Sequence, residues 1–256
     1  MIPKRIHYCW FGRGEMPDLA LYCIDSWRRT LPDYEFVRWD EDNFDVYSCC
    51  YVQEAYEAKK FAFVSDYVRL YAMYTQGGIY MDTDVEVIKP LDPYLDCKAF
   101  SGFENVHSIP TGIMACEKGF SGFGDLLSTY ENRHFIKPDG SFDMTTNVKT
   151  ITEYYSDRGL VRNNTFQVVD GFTIFPNIVF CPYKYEIGSR WFEESTVTIH
   201  HRNGSWLTDD EQRSRSSLSS LFKLGTKRVM LKIVGKHSMD KILLARYRSA
   251  ERRKSE

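Results

Sequence analysis

Apolar residues recur along the first forty positions with the two periods that distinguish strands from helices. Residues 2–10 alternate polar and apolar side chains, which predicts a strand, and residues 34–39 repeat that pattern. Between them, the apolar positions of 18–29 fall on one helical face, and Pro32 follows the end of the pattern. This strand–helix–strand opening indicates an α/β domain.

The middle of the chain continues the alternation of helical and extended patterns. Residues 51–76 have a helical pattern, divided into two helices, that ends at Gly77-Gly78. Residues 79–88 then form a predicted strand that ends before Pro90. The second half is less regular, and its predicted elements are short: strands at 99–103, 113–116, 166–169 and 197–200, and helices at 124–131 and 147–155.

Acidic residues interrupt the otherwise apolar strand predicted at 79–88. Because alternate side chains of a strand share a face, Tyr80, Asp82 and Asp84 are expected to point the same way, with the two carboxylates roughly 6.6 Å apart. Such carboxylates repel each other and need a cation or hydrogen-bond donors between them. A hard divalent cation accepts these oxygen ligands and keeps other positions for phosphate oxygens. The alternative is a solvated strand edge, but acids are poor strand formers.

Two further clusters carry candidate chemistry. Asp66 and Arg69 stand three positions apart in a helical pattern and share one face. They form either a surface ion pair of little energetic consequence or a pair that grips sugar hydroxyls beside the acids. The run from His200 to Trp206 combines two histidines with glycine, serine and tryptophan, which suits a neutral metal ligand and phosphate donors. A lone histidine is more often structural, and the surrounding cluster favours the functional interpretation.

Charge divides the chain into an acidic body and a basic tail. The net charge is −2, yet residues 213–256 carry 13 lysines and arginines against three acids, so that 1–212 is strongly acidic. An acidic body argues against nucleic acid as the main substrate. Within 226–253, apolar and basic residues interleave as in an amphipathic helix, which is expected either to contact an anionic membrane surface or to pack on the acidic body or on a second copy. The serine-rich run at 214–220 separates the two parts.

Cysteine usage and hydropathy indicate a cytoplasmic protein. The seven cysteines have no regular spacing, and the adjacent pair Cys49-Cys50 suits neither a disulfide framework nor a zinc site. They are expected to be reduced thiols. The start of the sequence lacks the basic cap and apolar run of a signal peptide, and no stretch approaches the roughly 18 apolar residues that span a bilayer.

Four segments, taken together, resemble a known enzyme family. They occur in order at 2–12, 65–69, 77–84 and 201–206. Their joint pattern is similar to that of glycosyltransferase family 32, which includes yeast initiating mannosyltransferases and bacterial capsule-synthesis transferases, and to the related clostridial glucosylating toxins. The resemblance implies a GT-A fold, with a Rossmann-like nucleotide-binding sheet, over residues 1–212. It also implies dependence on Mn²⁺ or Mg²⁺ and retention of anomeric configuration.

The resemblance assigns roles to individual residues on the donor side. Trp10 matches the aromatic residue that stacks on the donor base, and Asp66 and Arg69 match the pair that holds the donor sugar. Arg69 also matches a group that stabilises the departing diphosphate. Tyr80 and Asp82 match groups near the ribose and the sugar.

The remaining matches concern the metal and the phosphates. Asp84 matches the direct metal ligand, with Asp82 beside it, and His201 matches a metal-binding histidine, although His200 stays open as the ligand. Ser205 and Trp206 match the pair that contacts the terminal phosphate. The chain departs from some relatives at Thr145-Thr146-Asn147, where they carry Thr-Gly-Pro.

These features predict a metal-dependent retaining glycosyltransferase. The expected donor is a UDP-sugar, favoured over a GDP-sugar, and the expected acceptor is a glycan or lipid-linked oligosaccharide of surface polysaccharide synthesis at the inner face of the cell membrane. A nucleotide-sugar hydrolase and a non-enzymatic sugar- or nucleotide-binding module are the alternatives. A binding module could dispense with Asp84 or Arg69, and the presence of both favours an enzyme.

Overall fold

The computed structural model describes residues 1–183 and 194–202, together with parts of the C-terminal segment (226–227, 229–235, 238–239, 241–242, 245 and 249). In chain order the named elements are β1 (Arg5–Cys9), α1 (Asp18–Thr30), β2 (Glu35–Trp39), α2 (Cys50–Glu57), α3 (Phe61–Gln76), β3 (Gly78–Met81), β4 (Val85–Val87), β5 (Ala99–Gly102), β6 (Ile113–Cys116), α4 (Ser121–Ser128), α5 (Asn147–Ser156), β7 (Gln167–Val169), β8 (Phe172–Phe175), α6 (Asn177–Phe180) and β9 (Thr198–His200). The predicted boundary between residues 212 and 213 lies outside the described residues.

A seven-stranded mixed sheet organises the fold, in the order β2-β1-β3-β6-β5-β8-β7. Strand β1 runs parallel to both β2 and β3, and β5 runs parallel to β8. The pairs β3–β6, β5–β6 and β7–β8 are antiparallel. The predicted α/β fold class is confirmed, and so is its β-α-β opening. A separate two-stranded sheet pairs β4 with β9.

Helices cover both faces of the large sheet. One buried cluster joins α2, α3, α4 and α5 to the sheet, and a second joins α1 and α6 to the opposite face. Trp27 of α1 is fully buried and donates its indole N–H to the Val85 carbonyl oxygen at 2.6 Å, which fixes β4 against α1. None of the helices in the described part of the chain is long and apolar enough to cross a membrane.

The strand predicted at 79–88 is wrong as a continuous element. Strand β3 pairs with β6 only as far as Met81, and β4 starts at Val85 in the other sheet. Between them the chain turns, and the Val85 N–H donates to the Asp82 carbonyl oxygen at 3.0 Å. Asp82 and Asp84 therefore lie in a tight turn. Their relative orientation is set by this turn and not by the alternation of side chains along a strand.

Most other predicted elements occur where the patterns placed them. The short strands predicted in the second half correspond to β5, β6, β7 and β9, and the helix predicted at 124–131 begins three residues earlier. Strand β8 and helix α6 were missed. Both are four residues long and almost fully buried, and such short apolar runs have no periodicity that distinguishes them.

Candidate active site

A cavity of about 760 Å³ opens beyond the carboxyl ends of β1 and β3. Residues that follow these strands line it, as do the first turns of α3 and the loop before α1. In open α/β sheets ligands bind at this edge, in the crevice outside the carboxyl ends of the strands. Seven of the nine predicted site residues lie in the described part of the chain, and six of these line the cavity: Trp10, Asp66, Arg69, Tyr80, Asp82 and Asp84.

Arg69 lies at the centre of a buried charge network. Its guanidinium donates to the Asp66 carboxylate at 2.8 Å and to the Asp82 carboxylate at 3.2 Å. The Tyr80 hydroxyl donates to the same Asp82 oxygen at 3.0 Å, and its ring lies 4.8 Å from the guanidinium carbon. Only 5% of Arg69 and 7% of Asp66 is exposed, so these residues do not form a surface ion pair.

Burial and charge act in opposite directions on this network. Burial raises the pKa of Asp66 and of Asp82, and the positive charge of Arg69 offsets part of that rise. Burial lowers the pKa of Arg69, but Tyr80 and the two carboxylates raise it well above its usual value. Among the described residues, the buried Nε of Arg69 has no hydrogen-bond partner.

Asp66 is held from a second direction by Asn147, at the start of α5. The Asn147 backbone N–H donates to the Asp66 carboxylate at 3.1 Å, and its side-chain amide donates to the Asp66 carbonyl oxygen at 2.6 Å. The Tyr130 hydroxyl donates to the Asn147 side-chain oxygen at 2.7 Å. Sequence reasoning missed Asn147 as a site residue. The only signal in the sequence that involved Asn147 was the departure from the family pattern at 145–147.

A candidate metal centre lies at the turn between β3 and β4. Asp82, Asp84 and His200 each offer one ligand atom, and these atoms lie within 4.8 Å of one another. Pairing of Val85 with His200 in the β4–β9 sheet brings the histidine there, and its Nε2 lies 3.2 Å from the Asp84 carboxylate. Two carboxylates and one imidazole fit Mn²⁺, and the carboxylates alone also suit Mg²⁺.

The two adjacent histidines have different surroundings. His201, the predicted ligand, places its Nε2 3.0 Å from the Glu86 carboxylate, which also accepts from the Tyr22 hydroxyl at 2.7 Å. Burial lowers the pKa of His200, but its hydrogen bond to Asp84 and the charge of that carboxylate raise it well above the usual value. The geometry brings His200, and not His201, to the paired acids.

Close packing fixes the His200 ring. A Cβ atom at Gly112 would lie 2.7 Å from ring atoms of His200, so the absence of a side chain at Gly112 provides room for the imidazole. The Gly112 carbonyl oxygen also accepts from the Asp82 N–H at 2.9 Å. One residue without a side chain therefore contacts both sides of the candidate metal centre.

The aromatic wall of the cavity is built from the segment after β1. The Trp10 indole N–H donates to the Gly14 carbonyl oxygen at 2.6 Å, which anchors one edge of the ring. Gly12 adopts a left-handed φ of 92°, and a Cβ there would lie 2.4 Å from the Phe61 ring. The predicted phosphate contacts Ser205 and Trp206 lie outside the described residues.

Comparisons with known proteins agree with the predicted resemblance. The sequence profile of the family described as "Glycosyltransferase sugar-binding region containing DXD motif" matches residues 17–101. Two curated relatives are inositol phosphoceramide mannosyltransferases 3 and 1 of Schizosaccharomyces pombe, 30% identical over 126 residues and 29% identical over 110 residues. These matches cover 46% and 39% of this chain, and the chain spans about a third of each relative, 34% and 33%. The predicted resemblance to DXD-containing glycosyltransferases is confirmed.

Three solved structures that match this chain are named as glycosyltransferases. A glycosyltransferase involved in the glycosylation of the major capsid of PBCV-1 is 11% identical, with 82% of this chain and 98% of that chain covered and a TM-score of 0.45. The galactosyltransferase LgtC, in complex with donor and acceptor sugar analogues, is 14% identical, with 87% and 95% covered and a TM-score of 0.41. The PaToxG glycosyltransferase is 16% identical, with 61% and 68% covered and a TM-score of 0.41.

Proposed function

We propose that this chain, which resembles the DXD-containing glycosyltransferases, is a metal-dependent retaining transferase of the GT-A type that moves a sugar from a nucleotide diphosphate donor to an acceptor. The observation that carries the proposal is the arrangement of charge in the cavity. Arg69 lies between Asp66 and Asp82, and Asp84 and His200 complete a group of metal-binding atoms beside it. A diphosphate needs cations on one side, and a sugar needs hydrogen-bond acceptors on the other.

The residues of the metal centre would act on the leaving group. Asp82, Asp84 and His200 would hold Mn²⁺ or Mg²⁺, which when bound supplies positive charge to the diphosphate. Arg69, which lines the cavity, would direct its guanidinium charge toward the same anion, and this stabilisation of developing charge is the largest catalytic effect that we expect. Ser205 and Trp206 are proposed to contact the terminal phosphate, as the family resemblance implies.

The carboxylates and aromatic residues would position the donor. Asp66, fixed by Arg69 and Asn147, and the second oxygen of Asp82 would accept hydrogen bonds from sugar hydroxyls and so orient the anomeric carbon. Trp10 would stack on the base, with Tyr80 near the ribose. A UDP-sugar is the favoured donor, with a GDP-sugar second. The relatives are named as mannosyltransferases, which places mannosyl donors on the panel to be tested.

The proposed setting is surface polysaccharide synthesis at a membrane. The acceptor would be a glycan or lipid-linked oligosaccharide, and the basic tail would contact the anionic inner face of the cell membrane. In the described part of the tail, Leu231 and Met239 are buried and pack with Tyr183 of the body. Val229 and Ile233 remain 56% and 75% exposed, which leaves apolar surface for a bilayer.

A substitution in the metal centre tests the proposal directly. Wild-type protein incubated with nucleotide sugars, acceptors and Mn²⁺ should form a glycosylated product that a chelator abolishes. Asp84→Asn should remove transfer without lowering the unfolding temperature, because it keeps the shape of the side chain and removes its charge. Asp157→Asn, at an exposed acid, is the matched control.

Two outcomes would contradict the proposal in different ways. Normal transfer by Asp84→Asn in the presence of the chelator would exclude metal-dependent transfer. Release of free sugar in the presence of every acceptor would instead identify a nucleotide-sugar hydrolase.

A further inference from the structure

Residues 133–145 form a hairpin between α4 and α5 that is firmly anchored at its base. The Arg133 guanidinium pairs with the Asp143 carboxylate at 2.8 Å, and the Asp143 N–H donates to the Phe135 carbonyl oxygen at 2.7 Å. The Glu54 carboxylate of α2 accepts from the Ile136 N–H at 2.9 Å. Phe135 is fully buried. The hairpin is thus a rigid part of the body.

The hairpin exposes three apolar side chains to solvent. Ile136, Phe142 and Met144 are 42%, 38% and 46% exposed. Ile136 and Phe142 are bridge partners, so their side chains are neighbours, and Met144 follows Phe142 at the two-residue spacing of one extended face. The Phe142 ring stacks on buried Phe135, with ring centroids 5.1 Å apart. We call Ile136, Phe142 and Met144 the hairpin ledge.

The ledge starts where the cavity ends. Lys60 lines the cavity, and its ammonium lies 6.0 Å from the centroid of the Phe142 ring, so one side chain spans the distance between the two. Thr146, two residues after Met144, also lines the cavity. Lys59 lines it beside Lys60 and is exposed. A path from the donor cavity therefore passes two cationic side chains before it reaches the apolar surface.

The cavity, the two lysines and the apolar ledge follow one another along the surface. From this arrangement we infer that the acceptor is an amphiphile whose apolar chain lies on the hairpin ledge. A phosphate that joins this chain to the acceptor sugar would lie at Lys59 and Lys60, and the sugar would enter the cavity beside Asp66. The inference rests on the proposed transferase function. Of the two acceptor classes proposed there it selects the lipid-linked one, and it adds the surface on which the apolar chain would lie. A wholly polar glycan would give the three exposed apolar side chains nothing to bury, whereas an alkyl chain removes their surface from water.

Direct binding of simple alkyl phosphates tests the ledge without any donor. Dodecyl phosphate, hexyl phosphate and uncharged dodecyl maltoside would be titrated into the full-length protein by calorimetry, below their critical micelle concentrations. Dodecyl phosphate should bind at least about 10-fold more tightly than hexyl phosphate, which burial of roughly two extra methylenes suffices to produce. It should also bind more tightly than dodecyl maltoside, because only the phosphate has a charge for the lysines.

Substitutions on the ledge locate the binding. Phe142→Ser and Ile136→Ser should each weaken dodecyl phosphate binding by about fivefold and affect hexyl phosphate less, since they remove apolar contact only. Lys60→Met should weaken both phosphates. The matched control is Phe166→Ser, because Phe166 is also an exposed aromatic packed on a second phenylalanine, Phe175, and is not among the residues that line the cavity.

Several results would overturn the inference. Equal binding of the two alkyl phosphates, or equal losses in Phe142→Ser and Phe166→Ser, would exclude the ledge as the chain site. A wild-type dimer that Phe142→Ser dissociates in sedimentation would show that a second copy covers the ledge. In transfer assays, activity with no preference for long-chain acceptors would refute the ledge and leave the proposed function intact. Absence of transfer to every acceptor would count against the function alone, since the titration still decides the ledge.

Discussion

At the scale of single residues, substitutions can decide which histidine, His200 or His201, binds the metal. His200→Ala should lower Mn²⁺ affinity by more than about 10-fold, because it removes a ligand atom from a three-residue site. Gly112→Ala should lower the affinity by about 10-fold although it touches no carboxylate, because its methyl group occupies the space of the His200 ring. Calorimetric titration of Mn²⁺ measures both.

His201→Ala is the matched control for this prediction. It leaves Asp82, Asp84 and His200 in place and removes only the contact with Glu86. A loss of Mn²⁺ affinity in His201→Ala, with His200→Ala unaffected, would restore the ligand that the family resemblance implies.

Trp10 offers a separate test of the proposed nucleotide position in the cavity. Trp10→Ala should weaken donor binding by about 1–3 kcal/mol, the range for stacking of an aromatic side chain on a base. The loss should be equal for the nucleoside diphosphate and the nucleotide sugar, since the ring contacts only the base. Tyr47→Ala, at an aromatic residue that is 63% exposed and does not line the cavity, is the control in the same titration. Unchanged affinity in Trp10→Ala would reject the stacking role.

At the scale of elements, buried His7 connects β1, β2 and the end of α3. The Trp39 indole N–H donates to His7 Nδ1 at 3.0 Å, so Nε2 carries the proton and donates to the Gly77 carbonyl oxygen at 2.9 Å. These bonds require a neutral ring. Burial lowers the pKa of His7 to about 4. The unfolded chain, with the usual pKa near 6.5, binds a proton at a higher pH than the folded chain does.

The consequence is a loss of stability in mild acid. Between about pH 6.5 and pH 4 the unfolded state binds more protons at this position. The free energy of unfolding should therefore decrease by up to about 3 kcal/mol as the pH is lowered through this range. His7→Gln should have lower stability throughout and a flatter pH dependence in urea unfolding. Identical slopes for the two proteins would show that other groups cause the acid sensitivity.

Sequence patterns predicted the features that are determined by residues close together in the chain. Asp66 and Arg69 were placed together because a helix sets their spacing, and the structure confirms that they contact each other. The prediction of one continuous strand at 79–88 was wrong. Whether the chain continues as a strand or turns depends on where its pairing with β6 ends, which is at Ile113. Asn147 and His200 reach the site only through tertiary packing, and no local period indicates such contacts.

At the scale of the whole molecule, the basic tail should determine membrane association. Full-length protein should sediment with anionic liposomes at low salt, and a truncation after Ser220 should not, because it removes most of the basic residues of the tail. Neutral liposomes are the control for apolar contact alone. Equal sedimentation of both proteins, or of neither, would exclude the tail as the membrane contact. It would favour packing of the tail on the body, where buried Leu231 already contacts Tyr183.

The β4–β9 pairing also connects the supply of ligands to the amount of folded protein. It unites chain segments 115 positions apart, so the candidate metal centre forms only after both segments have folded together. Ligands that bind only the folded state stabilise it, by about 2.7 kcal/mol at one hundred times their Kd. In a cell whose proteases remove unfolded chains, a shortage of metal or nucleotide sugar would therefore shorten the lifetime of the protein itself. Its abundance would follow the supply of the ligands that bind its folded state.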